Sequence, residues 1–158
     1  MKADFPNGIS ECGTDALRFG LCAYTSQGRD INLDVKRLEA YRNFCNKLWN
    51  AFKLSQMFLG DNYQPQAKEA LTGKEAATDK WILSRLEYTV SECDQAFKQY
   101  DFARATTALY SFWLYDYCDN YLEIAKPIVR TSNNPDAVEA VRNTVYICLD
   151  TALRLLHP

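Results

Sequence analysis

The stretch GRDINLDVKRLEAYRNFCNKLWNAFKL, from Gly28 to Leu54, combines bulky apolar side chains with many Arg, Lys and Asn residues. It contains no Gly or Pro after its first residue, and its apolar positions recur at intervals of three and four, which is the period of one face of an α-helix. We predict a long helix from about Asp34 to Leu59 that ends at Gly60. The predicted buried stripe of this helix is Val35, Leu38, Tyr41, Cys45, Leu48, Trp49 and Phe52.

The rest of the chain carries further helical patterns and no strand pattern of useful length. Gly20 lies inside the first of these helices, and we expect it to mark a close packing contact. A polar stretch at 60–78 predicts a flexible surface loop. The fold class is therefore all-α, an antiparallel bundle of about five helices. The other predicted helices are 14–24 with Thr14 as N-cap, 79–100, 101–125 with Asp101 as cap and Pro127 as terminator, and a last helix opened by Asn134 and Pro135.

Charge is unevenly distributed along the 158 residues, which is a length typical of one domain or of one piece of a larger protein. The net charge of −2 argues against a general polyanion binder. Residues 18–53, however, hold seven basic and three acidic side chains. Such a local excess can steer a phosphate backbone even when the total charge is near zero.

The six cysteines include no C-x-x-C pair, and the single histidine is His157. This pattern indicates free thiols in a reducing compartment, and we predict a cytoplasmic protein. One terminal histidine argues against histidine-rich zinc sites and most histidine-dependent acid–base chemistry. No apolar run is long enough for a membrane span, so no membrane partner is expected.

The sequence contains no recognisable catalytic motif. The six glycines are scattered rather than gathered in a phosphate-binding loop. Asp116, Asp119 and Glu123 share one helical face and could form half of a carboxylate metal site, but the matching Glu-x-x-His ligands are missing. We therefore expect ion pairs from these positions to Arg or Lys on neighbouring helices, with no metal site and no catalytic role.

The polar side of the long helix offers many hydrogen-bond donors. Lys and Asn donate to phosphates, to the 2′-hydroxyl of ribose and to base edges. Spacing alone leaves two interpretations open, namely an RNA-contacting face and an ordinary solvated face. Asn46 and Lys53 flank the row, and the positions that share it at spacings of 7, 4, 3 and 4 are Lys36, Asn43, Lys47, Asn50 and Leu54.

Five segments resemble the valyl-tRNA synthetase family, the valine–tRNA ligases of class I, in the region that follows the catalytic domain. The resemblance runs from about Phe5 to Pro158. The elements D-A-L-R-F and N-K-L-W-N-A are shared more loosely among class I synthetases for aliphatic amino acids, whereas GTDALRF together with GRDIN is typical of the valine enzymes. The segments are ECGTDALRF, GRDINLD, RNFCNKLWNA, DKWILSRL and FWLYDYCDNYLEIAKP.

The resemblance implies a division of the chain into a stem-contact segment at 1–33 and an α-helical anticodon-binding domain at 34–158. It implies that the long helix faces the anticodon stem-loop of a valine-specific tRNA. Leu54 stands where relatives commonly have Phe, and leucine can pack on a base but cannot stack on it. The implied tRNA-binding residues are Arg29, Lys36, Arg42, Asn46, Lys47, Asn50, Lys53 and Leu54.

The family's ATP-handling signatures, which lie in the catalytic domain, do not occur in this sequence. The resemblance implies a parent enzyme that attaches valine to tRNA with ATP and Mg²⁺, while this chain alone should be inactive and hold no cofactor. The implied partners are tRNA and the catalytic domain of the same polypeptide, with no role for DNA. The still-apolar last helix leads us to expect a longer polypeptide. The alternative function is a non-catalytic bundle that serves as a protein-interaction scaffold.

Overall fold

The protein, seen in a computed structural model, is described at residue 8 and over residues 11–25, 33–65 and 71–157. These ranges contain helices and no strands, which confirms the predicted all-α bundle of about five helices. A π-helical segment joins α4 to α5 without a break, so residues 102–131 form one central helix. The elements are α1 (Thr14–Ala23), α2 (Val35–Leu59), α3 (Ala77–Lys98), α4 (Phe102–Ser111), the π segment (Phe112–Tyr121), α5 (Leu122–Thr131) and α6 (Pro135–Leu156).

The helix boundaries follow the capping chemistry of the sequence in most places. The Asp101 carboxylate accepts from the backbone N–H of Arg104, Asn134 caps α6 with Pro135 as its first residue, and Gly60 ends α2 with a φ of 72°. These three predictions are confirmed.

Two boundary predictions are wrong. Gly13, with a φ of 83°, occupies the N-cap of α1, and Thr14 is already helical. Pro127 lies inside α5, which continues to Thr131. A proline inside a helix costs about 3 kcal/mol. Burial of Leu122 and Ala125, with Ile128 packed against the same core, offsets that cost and keeps the helix intact.

The helices pack as a four-cornered bundle with α1 added at one end. The central helix contacts α2, α3 and α6, whereas α1 packs against α2 and α4. α2 and α3 occupy opposite corners. Gly20 allows the close approach of α1, because a Cβ at that position would lie 2.6 Å from Leu38 Cδ2 and 3.2 Å from the ring of Tyr41. The expected packing role of Gly20 is confirmed.

The core is rich in aromatic rings. Trp113, Tyr117 and Tyr121, all from the π segment, are each at most 1% exposed. The buried cluster is Phe44, Ala51, Phe58, Ile82, Leu86, Phe112, Trp113, Tyr117, Cys118, Tyr121, Leu122, Ala125, Val141, Val145, Cys148, Leu149 and Ala152.

Across the described residues, none of the helices combines the length and the hydrophobicity that a membrane-spanning segment needs.

Two tyrosine hydroxyls inside this core have specific partners. The Tyr117 hydroxyl lies 2.8 Å from Ser55 Oγ of α2. The Tyr121 hydroxyl donates to Asp79 Oδ1 of α3 at 2.6 Å. Burial raises the pKa of both tyrosines, and the hydrogen bond to Asp79 raises the pKa of Tyr121 further. Both side chains are therefore neutral hydrogen-bonding groups across the physiological pH range.

We predict that Tyr121→Phe lowers the free energy of unfolding more than Tyr117→Phe does. Loss of the Tyr121 hydroxyl leaves a carboxylate oxygen of Asp79, a residue only 1% exposed, without its donor, which should cost about 2–3 kcal/mol. In Tyr117→Phe, Ser55 still donates to the Ala51 carbonyl, so the cost should be about 1 kcal/mol. Urea denaturation followed by far-UV circular dichroism measures both values, and equal losses would contradict the ranking.

Candidate nucleic-acid interface

The polar surface of α2 consists of two rows. At 100° per residue, positions spaced by four, three and four residues form a line along a helix. The flank row is Asn43, Lys47, Asn50 and Leu54, with Lys36 two turns earlier; it runs beside the central helix. The outer row is Arg42, Asn46, Trp49 and Lys53, and every one of its members is exposed.

Lys47 links the flank row to the central helix. Its Nζ lies 2.6 Å from Asp119 Oδ1 in the π segment, and the two side chains are 40% and 50% exposed. The hydrogen bond that Lys47 donates to Asp119 raises the pKa of Lys47, so the amine is fully charged at neutral pH. Lys36, Asn43 and Asn50 are exposed. The row thus presents donors to solvent, with one of them already held by an aspartate.

Leu54 lies at the end of the flank row and is half-buried, packed against the core cluster. Its side chain is therefore partly covered by the core and only partly available at the surface. A base that reached this position would meet an aliphatic side chain and no aromatic ring to stack on.

Arg42 connects the outer row to the segment before α1, because its Nη1 donates to the carbonyl of Glu11. Asn46 follows Arg42 by four residues and Lys53 follows Asn46 by seven, so all three lie on the same side of α2. Arg29, the remaining residue of the predicted site, lies outside the described residues. Seven of the eight predicted residues therefore lie on α2. The flank row holds Lys36, Lys47, Asn50 and Leu54, and the outer row holds Arg42, Asn46 and Lys53.

Trp49 was predicted to be buried, and that prediction is wrong. Its side chain is 57% exposed and belongs to the outer row. Its ring stacks against that of Phe52, with centroids 5.6 Å apart and planes 22° apart. The Lys53 Nζ lies 5.2 Å from the Trp49 ring centroid. Sequence reasoning missed this group because it assigned the largest apolar residues to the core, whereas the small residues Ala51 and Ser55 face inward.

The three carboxylates considered as a metal site are engaged in ion pairs. Asp116 pairs with Arg85 of α3 at 2.9 Å, Asp119 pairs with Lys47, and Glu123 pairs with Lys126 on its own helix. The expectation of ion pairs to neighbouring helices is confirmed for Asp116 and Asp119 and is wrong for Glu123, whose partner lies one turn further along the same helix. Among the described residues, no group of three or more potential metal-binding side chains is gathered in one place.

Residues 79–158 match the family described as the anticodon-binding domain of tRNA ligase. The chain belongs to this family. The matched region covers the central helix and α6 completely and nearly all of α3, whereas α2 precedes it. No solved structure gives a significant match to the chain.

Valine–tRNA ligases are similar to the chain over its full length, including α2. The protein of that name from Mus musculus is 57% identical over 158 residues, and the one from Takifugu rubripes is 55% identical over 162 residues. A mitochondrial valine–tRNA ligase from Saccharomyces cerevisiae is 48% identical over 158 residues. Each match covers 100% of this chain and only 12–14% of the relative's length.

We predict that Asp119→Asn increases affinity for tRNA by about two- to threefold and makes binding steeper in salt, because an uncoupled Lys47 can neutralise one more phosphate. Electrophoretic mobility shift assays with a valine-accepting tRNA transcript at two salt concentrations measure both effects. Asp94→Asn is the control, because it removes a carboxylate that pairs with a lysine at the same distance of 2.6 Å, here Lys98 within α3. Unchanged or weaker binding by Asp119→Asn would show that Lys47 does not meet the RNA.

Proposed function

We propose that this chain binds the anticodon stem-loop of a valine-accepting tRNA through the flank row and the outer row of α2. The observation that carries the proposal is the exposure of lysine, arginine and asparagine donors along α2 in a member of an anticodon-binding family. α2 itself contains five basic residues and one acid, Glu39. A solvated face without a ligand would be equally polar but would have no reason to be so one-sided in charge.

The two classes of donor have different roles in this proposal. Lys36, Arg42 and Lys53 contact phosphates, which supply affinity without reading sequence. Asn46 and Asn50 offer an amide that can both donate to and accept from a base edge. Lys47 is paired with Asp119, so it is not counted among the phosphate contacts while that ion pair is intact. Leu54 supports a base by apolar contact.

We propose further that the parent protein attaches valine to its tRNA with ATP and Mg²⁺, supplied and used by a catalytic domain elsewhere in the polypeptide. The names of the relatives support this, and the chain's 12–14% share of their length leaves ample room for that domain. In the same proposal, residues 1–33 contact the tRNA stem and 34–158 the anticodon arm. A cytoplasmic location stays a prediction that rests on the six free cysteines.

The alternative is a protein-interaction scaffold without RNA affinity. Neither the family match nor the relatives that match the chain over its full length favour it. It would require the basic excess of α2 to serve a protein partner.

We predict salt-sensitive tRNA binding that depends on Lys36. With three phosphate contacts, affinity should fall roughly 40-fold between 50 and 200 mM salt. Lys36→Glu should weaken binding by about tenfold and reduce the salt slope by about one. Lys80→Glu is the control, since Lys80 is also exposed near the start of its helix but lies on α3, at the opposite corner of the bundle.

Fluorescence anisotropy with a labelled tRNA transcript gives all of these values. Absence of binding at either salt concentration would overturn the proposal. Equal losses for Lys36→Glu and Lys80→Glu would show that attraction is set by overall charge and not by α2.

A further inference from the structure

Trp49 stands out among the tryptophans of the described residues. It is 57% exposed, against 38% for Trp81 on α3 and 1% for Trp113 in the core. Its stacking on Phe52 holds the indole in a defined orientation on the helix surface. The result is a fixed, solvent-facing aromatic platform in the middle of the outer row.

We propose that Trp49 stacks on an unpaired base of the bound RNA, while Lys53 contacts the phosphate of that nucleotide. This proposal rests on the proposed function and adds a site for one nucleotide to it. None of the residues predicted to contact RNA has an aromatic ring, and Leu54 cannot stack. The Trp49 platform supplies the missing stacking surface on the same helix.

Lys53 is already above the Trp49 ring, so the arriving base competes with it. An exposed cation–π contact contributes roughly two- to fivefold to an equilibrium constant. Stacking of a base on an aromatic side chain contributes roughly 5- to 150-fold. Stacking of the base is therefore the stronger interaction. The displaced Lys53 ammonium then contacts the phosphate of the stacked nucleotide.

The charge around the platform favours RNA as its occupant. Lys53 lies one turn after Trp49, and Arg42 lies two turns before it. The single acid of α2, Glu39, is ten residues from Trp49, which is about 15 Å along the helix. A purely apolar protein surface would leave these cations desolvated and unpaired, whereas a nucleotide pairs a flat apolar base with a negative phosphate.

The test compares Trp49→Leu with Trp81→Leu, which removes an exposed tryptophan from the opposite corner of the bundle. Binding is measured to an anticodon stem-loop hairpin and to a set of hairpins that each carry one abasic site in the loop. Trp49→Leu should weaken binding to the intact hairpin by about tenfold, and Trp81→Leu should leave it unchanged. Trp49→Phe, which keeps a smaller ring, should recover part of the loss.

The wild-type protein should bind one of the abasic hairpins about tenfold more weakly than it binds the intact hairpin. Trp49→Leu should bind that abasic hairpin and the intact hairpin equally well. This coupling identifies the stacked nucleotide. If wild type binds the hairpin and Trp49→Leu binds equally well, or if every abasic penalty is the same in both proteins, the platform proposal is wrong and the proposed function stands. If wild type binds no hairpin and no tRNA, both fail together.

Discussion

The burial of two tyrosine hydroxyls in the π segment is the constraint on which the bundle depends. A hydroxyl removed from water must find a partner inside the protein, and the partners here are Ser55 on α2 and Asp79 on α3. The same segment carries Asp116 and Asp119, which pair with Arg85 of α3 and Lys47 of α2. This ten-residue segment thus contacts both α2 and α3 through polar groups as well as through aromatic rings.

These contacts fix the rotation of α2 about its own axis. Ser55 must face the Tyr117 hydroxyl, and Lys47 must reach Asp119. Lys47 and Ser55 lie about two turns apart on α2, so the two contacts together set its rotation. Once both are met, Ala51 and Phe58 face the core, and Arg42, Asn46, Trp49 and Lys53 face solvent. The proposed RNA-binding surface is therefore a consequence of hydrogen bonding inside the bundle.

The surface that results combines cations and amides with one aromatic platform. Surface cations cost little to present, because water solvates them until a phosphate arrives. An exposed tryptophan is different, since more than half of its large apolar ring stays in water. Trp113, Tyr117 and Tyr121 of the π segment are buried, whereas Trp49 of α2 is exposed, and this contrast separates packing from proposed recognition.

The sequence by itself determined the helices, most of their caps and the all-α class, because these depend on local chemistry such as the Asn134–Pro135 start, the Gly60 end and the three-to-four spacing of apolar residues. Family resemblance added the residues of α2. The tertiary structure alone decided that Pro127 stays helical, that a π segment replaces regular helix, and that Trp49 faces outward. Each of these depends on a partner distant in sequence, since long-range burial and hydrogen bonding outweigh local preference.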